Sequence, residues 1–175
     1  AWTLGHAEAI YLAGGDQSVY VASWQGTAIE AALRAAWDRG AVLGGTSAGC
    51  AVLGELGFSA EQGSITSPEA LADPYDPLLT LASGLPHLDV LAGVITDTHF
   101  AERDRMGRLL AFLARARVDH GITAPLGLGI DEATAIVVDE VGIGTVLGSG
   151  AAYLVAPTTS PAQCSAGQPL TWADV

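Results

Sequence analysis

Short apolar runs alternate with helical patterns along this chain, and this alternation constrains its fold more than any other feature. The runs are of strand length and predict buried strands at 8–13, 41–44, 88–96, 126–130, 133–138 and 151–155. Helical patterns cover 27–39, 48–55 and 102–118. Apolar strands that alternate with amphipathic helices are typical of a sheet covered by helices on both faces. We therefore predict an α/β fold with three layers and a mostly parallel sheet.

The charge balance excludes whole classes of function. The chain has 175 residues, with 19 acidic and 7 basic side chains and a formal net charge of −12. A surface this acidic repels phosphate backbones, so we expect no nucleic-acid partner. No apolar run reaches the ~18–20 residues that a membrane helix needs, so we expect no membrane partner. The sequence leaves a homodimer open.

The length is that of about one domain, which we predict over residues 1–175 with a loop-like tail from 157 onward. Residues 56–86 are rich in Ser, Pro and Gly and are predicted to be irregular, with a turn of helix that starts at 67–69. Residues 142–150 are predicted to form a Gly-rich turn. Cys50 is expected to be a small buried hydrophobe, and a disulfide with Cys164 stays open.

The motif Gly45-Thr46-Ser47-Ala48-Gly49 lies where a predicted strand turns into a predicted helix. In this G-x-S-x-G pattern a sharp turn strains the backbone of the serine and lifts its hydroxyl out of the sheet edge. Small neighbours are needed because a Cβ there would collide with the adjoining strand or helix. The N–H of Ala48 would then face a developing oxyanion at the helix N-terminus. The motif predicts that Ser47 is a nucleophile, and the alternative is a plain tight turn.

A nucleophilic serine needs a base, and the base needs an acid that orients it. His99 follows a predicted strand and therefore lies at the sheet edge where ligands bind in α/β proteins. Asp97, Asp131 and Glu132 are the candidate acids, and Glu132 also follows a strand. The order Ser47, His99, Glu132 differs from the Ser, acid, His order of α/β-hydrolases, so an ordinary esterase or lipase is disfavoured.

Four segments taken together resemble peptidase family S51, the cyanophycinases and their relatives. They are AGGDQ at 13–17, GGTSAG at 44–49, DTHF at 97–100 with RDRMGRL at 103–109, and GIDEATA at 129–135. The resemblance implies a class I glutamine amidotransferase-like, flavodoxin-type fold and a Ser-His-Glu triad on Ser47, His99 and Glu132. Full members of the family are longer, so we expect that leading strands and the extreme C-terminus are absent from this chain.

The resemblance also implies the remaining parts of the site. Gly15 and Ala48 would supply the oxyanion-hole N–H groups, and no cofactor or metal is implied. Thr98 stands where cyanophycinases usually have Gln. The residues expected to bind substrate are Gln17, Asp97, Thr98, Arg103, Arg105 and Arg108.

The resemblance implies a serine exopeptidase that hydrolyses β-linked aspartyl peptides. The leading substrate is cyanophycin, a polymer rich in Asp and Arg, which would be released as β-Asp-Arg dipeptides. The alternatives are an α-aspartyl dipeptidase or isoaspartyl peptidase of the same family, or a non-catalytic anion-binding protein on this fold.

Arginines are concentrated in one part of the chain, since five of the seven fall between Arg103 and Arg117. Arginine binds carboxylates through two parallel hydrogen bonds, which favours a substrate clamp at Arg105 and Arg108. The alternative is a set of surface ion pairs, each worth only about 0–1 kcal/mol. We expect Arg115 and Arg117 to be solvated charges near the helix end.

Overall fold

The computed structural model describes residues 2–173 and residue 175, so Ala1 and Asp174 of the predicted domain lie outside the described residues. The strands are β1 (Ala9–Leu12), β2 (Val42–Gly45), β3 (Leu56–Phe58), β4 (Leu81–Ser83), β5 (Val94–Thr98), β6 (Leu126–Ile130), β7 (Thr134–Val138), β8 (Gly144–Gly148) and β9 (Ala152–Val155). The helices are α1 (Gln17–Trp24), α2 (Ala28–Asp38), α3 (Ala48–Ala51), α4 (Ser67–Ala72) and α5 (Met106–Asp119). Single 3-10 turns occupy Leu4–His6 and Asp89–Leu91.

The α/β class is confirmed, and the sheet is mixed and divided rather than mostly parallel. Strands β3, β5 and β6 are parallel neighbours within the order β4-β3-β5-β6-β9. Strands β4 and β9 run antiparallel to the neighbours they pair with. Strand β1 pairs in parallel with β2 in a separate ladder, and β7 and β8 form a hairpin. The hairpin of β7 and β8 brings the chain back to the C-terminal end of β6. Strand β9 starts there and therefore runs antiparallel to β6, without a crossover connection.

Helix α5 packs on the larger sheet through apolar side chains. Leu109 and Leu113 are fully buried, and Phe112 between them stacks on Phe58 of β3 with ring centroids 5.2 Å apart. A Cβ at Gly127 of β6 would lie 3.0 Å from the Leu109 and Leu113 side chains, so the glycine lets the helix approach the sheet closely. These contacts fix α5 against β3 and β6.

Helix α5 begins at Met106, four residues later than predicted, because the chain first makes a turn. Asp104 has φ of 48°, which is incompatible with a continuous right-handed helix. Its carbonyl accepts a hydrogen bond from the hydroxyl of Ser67 at the start of α4. This turn separates His99, directly after β5, from the first residue of α5.

The structure contains three elements that the sequence pattern did not predict as strands, and one helix that it missed. Strands β3 and β4 lie inside the segment 56–86, and β8 lies inside the Gly-rich segment 142–150. The missed helix is α1. Three-residue strands are too short to show a periodicity, and β8 is defined by its register with β7. Among the described helices, none is long and apolar enough to cross a membrane.

Candidate active site

Ser47 occupies the sharp turn between β2 and α3, and the strained conformation predicted for it is confirmed. Its backbone has φ of 51° and ψ of −117°, which non-glycine residues rarely adopt. A Cβ on Gly45 would lie 2.3 Å from the carbonyl oxygen of Gly49. A Cβ on Gly49 would lie 2.2 Å from the carbonyl oxygen of Leu12. Both glycines are therefore required by the close contact of β1, β2 and α3.

Ser47, His99 and Glu132 form one continuous line of hydrogen bonds. The Oγ atom of Ser47 is 2.9 Å from Nε2 of His99. The Nδ1 atom of His99 is 2.6 Å from Oε1 of Glu132. In the tautomer with its proton on Nδ1, the ring donates to Glu132 and accepts from the serine hydroxyl. The line is open to solvent, since the His99 side chain is 23% exposed and that of Glu132 is 53% exposed.

The three candidate acids have different partners in the structure. Of these three acids, only Glu132 is hydrogen-bonded to His99. Asp97 is paired with arginines, and Asp131 accepts hydrogen bonds from the backbone N–H groups of Ala101 and Ala151. Glu132 follows β6, whose parallel neighbour β5 ends just before His99. The adjacency of these two strand ends is what brings the acid to the imidazole.

The loop between β1 and α1 lies next to Ser47. A Cβ on Gly14 would lie 3.4 Å from the Cβ of Ser47. Gly15 has φ of 150° and open space where a Cβ would stand. Ala48 is the first residue of α3 and is 2% exposed. Gly15 and Ala48 are therefore near the serine, and their oxyanion role stays a prediction.

Asp97 is buried in a cluster with two of the predicted clamp arginines. Arg108 binds the Asp97 carboxylate through two guanidinium nitrogens, with Nε–Oδ2 at 2.7 Å and Nη2–Oδ1 at 2.6 Å. Nη1 of Arg105 contacts the Oδ1 atom at 3.2 Å and donates to the carbonyl of Thr98 at 2.6 Å. The Arg108 guanidinium also lies 4.9 Å from the ring centroid of Phe58. A substrate carboxylate would have to compete with Asp97 for these guanidinium groups.

The cluster has two guanidinium groups for one carboxylate, so it carries a surplus of positive charge. Burial lowers the pKa of Arg105 to about 10, and the positive charges of Arg108 and Arg103 add to the lowering while Asp97 opposes it. Arg105 therefore remains charged at neutral pH. Arg103 lies on the exposed turn before α5. The substrate-binding role of these arginines and of Asp97 stays a prediction.

A cavity of about 620 Å³ adjoins the hydrogen-bonded line. Ser47, His99 and Glu132 line it, and so does Thr98, which the resemblance places in the substrate pocket. Most of the other lining side chains are apolar, including Tyr11, Leu43, Val90, Leu91, Leu128 and Ile136. Gln17 takes no part in this lining, and its Nε2 atom donates to the carbonyl of Phe58 at 3.2 Å.

Cys50 also lines this cavity, one turn of α3 after Ser47. Burial raises the pKa of its thiol to about 12, and the Asp97 carboxylate adds to the rise. The thiol is protonated at neutral pH and is a poor nucleophile. Cys50 and Cys164 are both free, and no disulfide joins them.

Sequence reasoning missed one feature of the site, which is the contact between the two loops that carry His99 and Glu132. Glu102 accepts a hydrogen bond from the backbone N–H of Glu132 at 3.0 Å. Asp131 accepts one from the backbone N–H of Ala101 at 2.9 Å. Asp131 lies in the motif at 129–135, and the sequence predicts it only as a candidate catalytic acid.

The fold and the site together define a class. A serine in a strained turn, a histidine and a carboxylate, each at the end of a strand in an α/β protein, form the arrangement that serine hydrolases use. The sequence profile of Peptidase family S51 matches residues 2–146. The chain therefore belongs to peptidase family S51.

Similar proteins agree with this assignment. A cyanophycinase from Synechococcus elongatus is 35% identical over 173 residues, which are 96% of this chain and 49% of that protein. A cyanophycinase from Trichormus variabilis is 35% identical over 167 residues, which are 93% of this chain and 51% of that protein. The chain thus spans about half the length of the curated relatives it matches. The crystal structure of a peptidase from an acI-B1 Actinobacterium shares the fold, with a TM-score of 0.51 and 19% identity over 87% of this chain and 61% of that one.

Proposed function

We propose that this protein is a serine-type peptidase with Ser47 as its nucleophile. The observation that carries the proposal is the unbroken line from the Ser47 hydroxyl through His99 to Glu132, with separations of 2.9 and 2.6 Å. These are the distances that proton transfer between a nucleophile, its base and an orienting acid requires. The strained turn at Ser47 is the conformation expected for an exposed serine nucleophile.

In the proposed reaction His99 takes the proton of the Ser47 hydroxyl while the oxygen attacks the scissile carbonyl. The N–H groups of Ala48 and Gly15 stabilise the negative oxygen of the tetrahedral intermediate. Glu132 stabilises the imidazolium and holds it in the productive tautomer. His99 then gives its proton to the leaving amine, and an ester with Ser47 remains. Water, deprotonated by His99, hydrolyses this ester and releases the acid product.

The proposed substrate class is the β-linked aspartyl peptide, with cyanophycin as its leading member. Two of the named relatives are cyanophycinases. The surplus positive charge around Arg105 and the exposed Arg103 suit aspartyl carboxylates. The strongly acidic remainder of the chain suits the guanidinium groups of the same polymer.

The test is release of β-Asp-Arg dipeptides from cyanophycin by the wild-type chain and by the Ser47→Ala variant. We expect the variant to lose activity by roughly 10⁴-fold or more while its circular dichroism spectrum is unchanged. Ser64→Ala is a matched control, because Ser64 is exposed on a loop, and it should keep full activity. Undiminished release by Ser47→Ala would overturn the proposed nucleophile.

A second candidate, an aspartyl dipeptidase on the same scaffold, is favoured by the pairing of Asp97 with Arg105 and Arg108. That pairing leaves fewer guanidinium groups free for a polymer with many carboxylates. A panel of cyanophycin, β-Asp-Arg peptides and free Asp-X dipeptides separates the two candidates. A non-catalytic anion-binding protein would be indicated if a fluorophosphonate failed to label Ser47.

A further inference from the structure

The loops that carry His99 and Glu132 both contain strained backbone. His99 has φ of 49°, and Ala133, directly after Glu132, has φ of 51°. Such conformations cost free energy and persist only where surrounding contacts determine them. The loop after β5 and the loop after β6 therefore need partners that hold them in place.

Two carboxylates supply these partners by crossing between the loops. Glu102, three residues after His99, accepts the backbone N–H of Glu132 at 3.0 Å. Asp131, directly before Glu132, accepts the backbone N–H of Ala101 at 2.9 Å. The exchange is reciprocal, because each loop gives one carboxylate and one N–H group. Hydrogen bonds with an ionised acceptor are about twice as strong as neutral ones.

Asp131 also connects this pair of loops to the sheet. Its second oxygen accepts the backbone N–H of Ala151, directly before β9, at 3.1 Å. The two carboxylate oxygens of Asp131 thus accept hydrogen bonds from backbone N–H groups in two different segments.

We propose that Glu102 and Asp131 are positioning residues that set the contact between His99 Nδ1 and Glu132 Oε1. Neither carboxylate touches the imidazole or the serine; each acts through a backbone N–H group of the opposite loop. This inference rests on the proposed use of His99 and Glu132 as a catalytic pair. It extends that proposal by adding two residues for which the family resemblance implies no role.

The test compares acceptor-deleting and acceptor-keeping variants of the full chain. Glu102→Ala removes the acceptor for the Glu132 N–H, whereas Glu102→Gln keeps an oxygen for it. We expect Glu102→Ala to lower kcat about tenfold with KM within about twofold of wild type, because a small misplacement of catalytic groups affects chemistry more than binding. Glu102→Gln should recover most of kcat.

Asp131 provides a graded version of the same test. Asp131→Ala deletes both acceptors, whereas Asp131→Asn offers one carbonyl oxygen to two N–H donors, so its kcat should fall between those of wild type and Asp131→Ala. Glu140→Ala is the matched control, because Glu140 is an exposed carboxylate on the turn of the β7–β8 hairpin, and it should leave kcat unchanged.

A second measurement does not depend on the substrate. The His99 Nδ1 proton, hydrogen-bonded to Glu132, should give a low-field proton NMR resonance that weakens in Glu102→Ala and persists in Glu102→Gln. Unchanged kcat and resonance in both alanine variants would overturn the positioning role. So would a loss of kcat that Glu102→Gln fails to recover, since charge rather than hydrogen bonding would then be responsible. A wild-type chain that shows the resonance but cleaves no aspartyl peptide would refute the proposed function alone.

Discussion

Asp97 and His99 stand two residues apart at the end of β5, and their surroundings differ completely. Asp97 lies in a cluster in which it and Arg108 are each only 3% exposed. His99 belongs to a line in which Glu132 is 53% exposed. The Arg108–Asp97 and His99–Glu132 hydrogen bonds have the same length, 2.6 Å. The distances alone do not distinguish the pair that supports the fold from the pair that faces the cavity.

Burial is what separates the two networks. The Asp97 carboxylate is out of contact with water, so removing its partner would leave a desolvated charge. The Glu132 carboxylate stays hydrated, so water and salt screen its charge. It can still stabilise the neighbouring imidazolium when His99 takes up a proton. We infer that the Asp97 cluster contributes mainly to stability and that the His99 line contributes mainly to chemistry. Three predictions test this division and a fourth tests an ion pair outside both networks, from the largest expected effect to the smallest.

The largest effect is expected from Arg108→Met, which removes the bidentate partner of buried Asp97. The free energy of unfolding should fall by about 3 kcal/mol, the lower end of the usual cost of breaking a buried ion pair, because Asp97 keeps its single contact with Arg105 at 3.2 Å. Urea denaturation measures it. In the double variant Asp97→Asn with Arg108→Met, part of the loss should return because the buried carboxylate is gone, and only part because Arg105 then lacks its acidic partner. Equal stability of wild type and Arg108→Met would contradict the assignment of the cluster to the fold.

Glu132→Gln should affect activity instead of stability. We expect kcat/KM on cyanophycin to fall roughly 10²-fold, less than for a fully buried triad acid, because the charge that stabilises the imidazolium is lost from a half-exposed position. The melting temperature should stay within about 2 °C of wild type. Steady-state kinetics and calorimetry on one preparation measure both. A large drop in melting temperature with activity retained would show that Glu132 supports stability and not chemistry, which contradicts the division.

Added salt should distinguish the networks without any mutation. Between roughly 0.05 and 0.5 M NaCl the screening length shortens severalfold, so the attraction between charged substrate and open site weakens and kcat/KM should fall. The stability difference between wild type and Arg108→Met should change little over the same range, since a buried pair is poorly screened. A kcat/KM independent of salt would count against an electrostatic role for the acidic surface.

The smallest effect is expected from Arg115→Ala. Arg115 pairs with Asp119 and lies 4.0 Å from the Tyr75 ring centroid, so it is less solvated than predicted, and we expect a loss of about 0.5–1 kcal/mol with unchanged kcat. Burial raises the pKa of Asp119, but hydrogen bonds from Tyr75 and Arg115 together lower it below its usual value. This pairing stabilises the fold above the unfolded pKa and is lost as the pH falls through the folded pKa. The difference between variant and wild type should therefore shrink in acid to the part that comes from the Tyr75 ring.

Much of the candidate site could be predicted from the sequence because its parts are local. The turn at Ser47 follows from the glycines that flank it, whose missing Cβ atoms would meet backbone at 2.2 and 2.3 Å. His99 and Glu132 follow strands, and strand ends can be read from short apolar runs.

The division of the sheet and the length of β3 and β4 could not be predicted, since those strands exist through pairing with distant segments. The hydrogen bonds that Glu102 and Asp131 exchange are likewise made between segments that only the fold brings together.

The sequence by itself determined which residues carry charge and hydroxyl groups at the strand ends, because residue type and local turn geometry are encoded within a few neighbours. Only the tertiary structure decided that Arg108 binds Asp97 and packs on the ring of Phe58, and that Glu132 remains in contact with solvent. The reason is physical. Desolvation of a charge depends on what other elements pack over it, and no pattern within one segment contains that information.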